Sequence, residues 1–300
     1  MSSSALDEVR RIGPAIAARS DEIEQLRTLP LEVVELVKST GAFRMYVPDD
    51  LDGPVVSAWE SLEIIEELAY HDGATGWCAM IGSTTSLMSS FLPDAYAKEI
   101  FGSTDAIGAG FAMPAGRAVA VDGGLRVTGR WQWGSGSRHA TWIGGGCRIV
   151  DEEGARSPRS DGLAMPFVFF PADDVELIDN WHVSGLAGSG SGDYLVTDVF
   201  VPEGRWVQMG RDEPVRSNSL SRFSFYGLLA AGVAACAMGL ARRSIDEQEA
   251  SGKLQDPAGA IADSSRCSKG GGEAGFGLGP DEAGGRRHVA DGRDRAQPVG

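Results

Sequence analysis

Cysteine is scarce in this chain. Its 300 residues include four, Cys78, Cys147, Cys236 and Cys267, and no two stand at CxxC spacing. Such scatter excludes a disulfide framework and a zinc site and reads as buried thiols in a reducing compartment. Histidine is equally sparse, and no metal site is expected. Positive charge is in deficit, with 27 Lys and Arg against 42 Asp and Glu, a net charge of -15 and a pI near 4.7. That field repels phosphate backbones and anionic lipid, which argues against nucleic acid or a membrane surface as partner. The N-terminus, MSSSALDEVRR, lacks an apolar segment, so no secretory signal is expected and a cytoplasmic location is. One long uncharged run, Phe223 to Ala241, is short for a bilayer span and reads as a buried bundle helix.

What is present is globular in composition, 42% hydrophobic and 23% charged, and long enough for two or three domains. From Ser4 to Arg27, Val9, Ile12, Ile16 and Ile23 recur at helical spacing. Pro30 opens a second helix to Lys38, with Leu31, Val34 and Val37 expected on one face. After a Pro/Gly-rich loop, Ala58 to Tyr70 carries Leu62, Ile65 and Leu68, and Glu60, Glu63, Glu66 and Glu67 are expected to form a solvated face. Asp72-Gly73 ends that helix, and the nearly charge-free one that follows must lie inside the protein. Pro93 to Phe101 is a short helix leading out.

From Gly108 to Arg205 the pattern changes to strand-like runs separated by Gly, Pro and Asp turns. Within it, Asp151 to Asp161 reads as a polar, mobile hairpin loop. Helix returns after Pro214 and continues to Glu249. The last fifty residues hold twelve glycines, no Trp or Tyr and no periodic apolar run, so 251–300 is expected to be disordered. Its Gly, Arg, Ala, Asp and Ser bias suggests an out-of-frame translation of a GC-rich gene.

The organising stretch is Gly123 to Trp142, GGLRVTGRWQWGSGSRHATW. A glycine turn leads into Leu125, Val127, Trp131 and Trp133 at strand period, and then into Gly134-Ser135-Gly136-Ser137. Small residues beside two indoles could seat a flat aromatic ligand whose polar edge finds donors. The same residues also suit an ordinary hairpin with a Gly/Ser bulge and two core tryptophans.

Gly129, Arg130, Trp133, Gly134 and Ser135 resemble the flavin-binding strand of the acyl-CoA dehydrogenase superfamily. Arg130, Trp131, Ser135, Gly136, His139 and Trp142 resemble in particular the reduced-flavin-dependent aromatic monooxygenases built on that fold. Two further clusters agree in order. Phe43, Arg44, Val47, Pro48, Gly53, Glu66, Glu67, Asp72, Gly73, Thr75, Gly76 and Trp77 resemble the superfamily's N-terminal helical domain. Trp181 to Arg205 resembles its "GLRGTGS…DVFVP" segment, with Ala187 in the place of an arginine. At Pro114 to Gly129 the chain matches the monooxygenase pattern and lacks the Glu and Ser-Asp of a true acyl-CoA dehydrogenase.

The resemblance implies an α+β acyl-CoA dehydrogenase fold: an N-terminal helical domain (1–104), a middle antiparallel β domain that binds flavin (105–212), and the first helix (213–250) of an incomplete C-terminal helical bundle. It implies the oxygenase component of a two-component monooxygenase, taking reduced FMN or FAD from a flavin reductase to hydroxylate a small aromatic or polycyclic substrate. Ala112, Met113, Trp133, Gly134, Ser135, Ser189 and Ser191 would bind the flavin. Ser135 would donate at the N5/O4 edge, Gly188 to Ser191 could cradle a phosphate, and Ser135 and His139 are the catalytic candidates. The family assembles as homotetramers, so an intact bundle implies a homo-oligomer. An acyl-CoA dehydrogenase-like enzyme, with Arg117, Arg130 or Arg138 receiving CoA, and an inactive remnant are the alternatives.

Overall fold

The computed structural model describes residues 4–151, 165–209, 211–216 and 219–251. Most of the 151–161 loop, the 252–300 tail, Cys267 and His288 lie outside the described residues. Met1–Glu247 forms one compact unit, and the second, Gln248–Gly300, is described only as far as Ser251.

The helices form where caps and apolar spacing agree. Helix α1 (Ala5–Ala17) begins where the Ser4 hydroxyl accepts the Asp7 N–H and buries Val9, Ile12 and Ile16. The expected single helix to Arg27 is broken at Ala18–Arg19, and α2 (Ser20–Leu26) follows. The break lets Ile23 abut Gly188, where a Cβ would lie 2.1 Å from the Ile23 side chain. In α3 (Leu31–Ser39) the buried face is Val33, Val34 and Val37, while Leu31, at the first turn, is 70% exposed. Helices α4 (Ala58–His71) and α5 (Gly73–Ser86) are capped by Ser57 and Asp72, and α5 is buried nearly all round as its composition requires. Helix α6 (Asp94–Phe101) completes the set before the sheet.

Glu60, Glu63, Glu66 and Glu67 are half-buried rather than solvated. Arg10 of α1 reaches Glu67, and the last helix, α7 (Phe225–Ala250), lies over α4 so closely that a Cβ on Gly239 would be 2.2 Å from the Glu66 carbonyl oxygen. Gly232 similarly meets Met80 of α5. The expectation of a buried bundle helix holds for one face only. Leu228, Ala235 and Cys236 are buried, whereas Tyr226, Val233 and Met238 are exposed, because the elements that α7 contacts lie on one side of it. With its charged C-terminal turns included, α7 is long and apolar enough to cross a membrane by length and composition alone, a test that the core helix of a soluble protein also passes. Cys78, Cys147 and Cys236 are buried thiols, as expected.

Among the described residues seven strands follow: β1 (Gly108–Val121), β2 (Gly124–Trp131), β3 (Trp142–Val150), β4 (Pro166–Pro171), β5 (Glu176–Ile178), β6 (Asp193–Pro202) and β7 (Trp206–Gln208). They make one sheet in the order β5-β6-β2-β1-β3-β4-β7. The middle segment is therefore not purely antiparallel as expected. β1 and β3 pair in parallel, because the chain leaves β2 on one side of β1 and re-enters through residues 132–141 on the other. That crossover carries Trp133 to His139.

Candidate functional site

Strand β2 ends at Trp131, and the two indoles part company there. Trp131 is fully buried, stacks on Tyr194 with ring centres 5.3 Å apart, and donates its indole N–H to the Gly146 carbonyl at 2.8 Å. Trp133 lies beyond the strand with φ of +57°, a left-handed conformation rare and costly for a bulky residue. Its ring is 54% exposed and stands edge-on to Phe111 of β1, 5.3 Å away. Left-handed strain at a bulky residue is a feature that gathers at functional sites, and it keeps Trp133 among the candidate positions.

Behind Trp133 the chain is sewn to the loop that precedes β6. Gly134 N–H donates to the Gly192 carbonyl at 2.8 Å, Gly136 N–H to the Ser189 carbonyl at 3.0 Å, and Ser135 N–H turns back to the Trp133 carbonyl at 2.8 Å. Ser135 itself is buried. Its hydroxyl oxygen accepts the Trp77 indole N–H at 3.0 Å and is 2.6 Å from the Ser191 hydroxyl, which is 2.6 Å from that of Ser189. Ser189 donates to the Leu186 carbonyl at 2.7 Å. Gly134, Ser135, Ser189 and Ser191 are thus brought together. The glycine loop is not an open phosphate cradle: Gly188 packs on Ile23 and Ala74, and Gly190 on Arg138.

Ala112 and Met113 sit in a bulge of β1, where the register with β3 slips between Phe111 and Pro114 and again before Gly116. The Tyr194 hydroxyl fills the gap, accepting the Phe111 N–H at 2.9 Å and donating to the Gly144 carbonyl at 2.6 Å. Its burial holds the phenol protonated far above the usual range. Met113 projects into solvent, 61% exposed. On the β3 side, Gly146 is required because a Cβ there would lie 2.1 Å from the Ala112 carbonyl oxygen. Gly146→Ala is expected to cost about 1–3 kcal/mol by overpacking. Chemical denaturation reads this, and a cost below about 0.5 kcal/mol would show that the bulge yields freely.

His139 stands apart from the serines. Its ring lies 5.5 Å from that of Phe43, both ring nitrogens are shut off from solvent, and neither has a hydrogen-bond partner among the described residues. Desolvation pushes its pKa down to about 4, so the ring is neutral and weakly basic at pH 7. This geometry supports packing; the structure gives His139 no partner with which to move a proton. The arginines named for CoA are engaged: Arg130 with Asp193, Arg138 with Asp179, and Arg117 with the Asp151 carbonyl. A cavity of about 460 Å³ lined by Lys38, Arg44 and Asp105 includes none of the residues above.

Two residues of the site escaped sequence reasoning. Trp77 was visible as a motif residue, yet nothing in its spacing shows that it reaches Ser135, 58 positions on. Tyr194 had no signal beyond strand alternation.

No family model matches the chain. Among curated proteins, the indole-3-acetate monooxygenase of Pseudomonas putida is 31% identical over 242 residues, 79% of this chain and 59% of that protein. The flavin-dependent monooxygenase oxygenase subunit HsaA of Rhodococcus jostii is 31% identical over 195 residues, 64% of this chain and 49% of that protein. The chain therefore spans about half the length of the curated relatives it matches. Among solved structures, XiaF from Streptomyces sp., in complex with FADH2 and glycerol, superposes with a TM-score of 0.74 at 26% identity, covering 81% of this chain and 63% of that one. The chain is a homologue of the oxygenase components of flavin-dependent monooxygenases and has the acyl-CoA dehydrogenase fold.

Proposed function

We propose that this chain carries the flavin site of a two-component monooxygenase oxygenase, one that receives reduced FMN or FAD from a separate reductase and hydroxylates a small aromatic or polycyclic substrate. The observation that carries the reading is the exposed, left-handed Trp133 beside Phe111, with the Ala112–Met113 bulge on one side and the buried Ser135 cluster behind. These residues fit a flavin: a flat ring system needs an apolar face, and Trp133 and Met113 offer one without further burial. Bound reduced flavin supplies the two electrons that activate O2. Trp133 and Met113 would cover a ring face, the bulge backbone would meet the polar edge, and Ser135 would hydrogen-bond it. The apolar platform would keep water from that face. Gly134 and the serines at 189 and 191 hold Ser135 in place. We read the helical segment 1–104, the sheet segment 105–212 and the helical segment 213–250 as the parts that build the site, in a cytoplasmic homo-oligomer.

The test is anaerobic titration of the full chain with reduced FMN and FAD. Binding is expected, and Trp133→Ala should weaken it by about tenfold or more, the loss of one aromatic contact. If neither reduced flavin binds, the reading fails. Tight binding of oxidised FAD that is bleached by an acyl-CoA would replace it with a dehydrogenase.

A further inference from the structure

The hydroxyl cluster has a direction. Four close contacts run Trp77, Ser135, Ser191, Ser189, Leu186, and each hydroxyl has one proton to give. The indole can only donate and the Leu186 carbonyl can only accept. The one assignment that puts a proton in every contact has Ser135 donating to Ser191, Ser191 to Ser189, and Ser189 to the Leu186 carbonyl. In this state Ser135 has no proton left for a ligand, and its backbone N–H is spent on Trp133.

The far end of the chain is built to let go. The Leu186 carbonyl also accepts the Trp181 indole N–H at 3.1 Å and the Ser189 backbone N–H at 3.0 Å. It stays satisfied if the Ser189 hydroxyl rotates away, so that rotation strands no buried acceptor. Ser189 can then donate to Ser191 and Ser191 to Ser135, which frees the Ser135 proton. Three O–H bonds rotate, no proton changes oxygen, and all three hydroxyls are buried away from competing water.

We propose that Ser189 and Ser191 are positioning residues that form a reversible hydroxyl relay, switching Ser135 from hydrogen-bond acceptor to donor when an acceptor arrives at it. That the acceptor is a flavin edge rests on the function proposed above; the relay itself does not. The relay predicts an unusual sign. Removing the Ser189 hydroxyl takes away the acceptor that fixes the direction, so the Ser135–Ser191 bond can run either way without breaking another contact, and freeing the Ser135 proton costs no hydrogen bond.

The test has two arms, both on the full chain. In the unliganded protein, labelled with 15N in its indoles, the Trp77 signal is identified by its loss in Trp77→Phe. In Ser189→Ala the two directions are balanced, so in part of the population the Ser135 oxygen accepts from both Trp77 and Ser191. The Trp77 N–H should therefore move upfield and exchange about threefold faster, with recovery in Ser189→Thr. An unchanged Trp77 signal would overturn the relay. In the second arm, reduced FMN should bind Ser189→Ala about threefold more tightly than the parent and Ser135→Ala about tenfold more weakly. Weaker binding by Ser189→Ala would mean that its hydroxyl only holds the loop, and the relay would again fall. If no variant binds flavin, the functional reading fails while the Trp77 signal still decides the relay.

Discussion

Replacing Trp131 with alanine is expected to cost about 3–5 kcal/mol, a large share of the roughly 5–15 kcal/mol that holds a domain together. The indole is fully buried, in a slot made by three glycines on three strands. A Cβ at Gly116 of β1, Gly129 of β2 or Gly145 of β3 would come within 2.4, 2.7 and 2.5 Å of its ring. Glycines have no side chains to swing into the vacated space, so the slot cannot repack cheaply. The Gly146 carbonyl, which accepts the indole N–H, would be left without that donor, and Tyr194 would lose its stacking partner. Tyr194 also bridges the β1 bulge, so the damage should reach Ala112 and Met113. Urea unfolding followed by circular dichroism measures the cost. A loss below about 1 kcal/mol would show that the sheet closes over the gap.

Acid should destabilise the protein through His139. Its folded pKa, about 4, lies below the ordinary value near 6.5, so the unfolded chain binds the extra proton more readily. Stability therefore rises with pH across this window. The contribution is fully present above about pH 6.5, is lost progressively as pH falls to about 4, and amounts to roughly 3 kcal/mol. Desolvation by burial is the cause, and among the described residues neither ring nitrogen has a group to share the charge. His139→Phe keeps a flat ring against Phe43 and removes the titration. Between pH 7.5 and 4 the unfolding free energy of the parent should fall by about that amount relative to the variant's. Parallel curves would show that the imidazole finds a partner or water on protonation.

Much of the architecture was legible because local chemistry wrote it. Ser57 and Asp72 cap helices where they stand in sequence, Gly123 turns the β1–β2 hairpin, and charge-free α5 could only be internal. Motif order across the first 205 residues carried the fold, and small residues beside tryptophan pointed to the candidate site. Period alone failed where burial is set by a neighbour: Leu31 shares a helical row with Val34 but none of the described elements covers it, and Glu66 and Glu67 of α4 are half-buried because α7 and α1 lie against them.

The amino-acid sequence by itself determined the elements, their order and the residue types of the site, since propensity, capping and alternation act between near neighbours. Only the tertiary structure decided that β1 and β3 run parallel, that Trp131 turns inward and Trp133 outward, and that Trp77, Ser135, Ser189 and Ser191 share one line of hydrogen bonds. Those contacts join residues as far as 58 positions apart, and the packing around them depends on close approaches at glycines that no local pattern encodes.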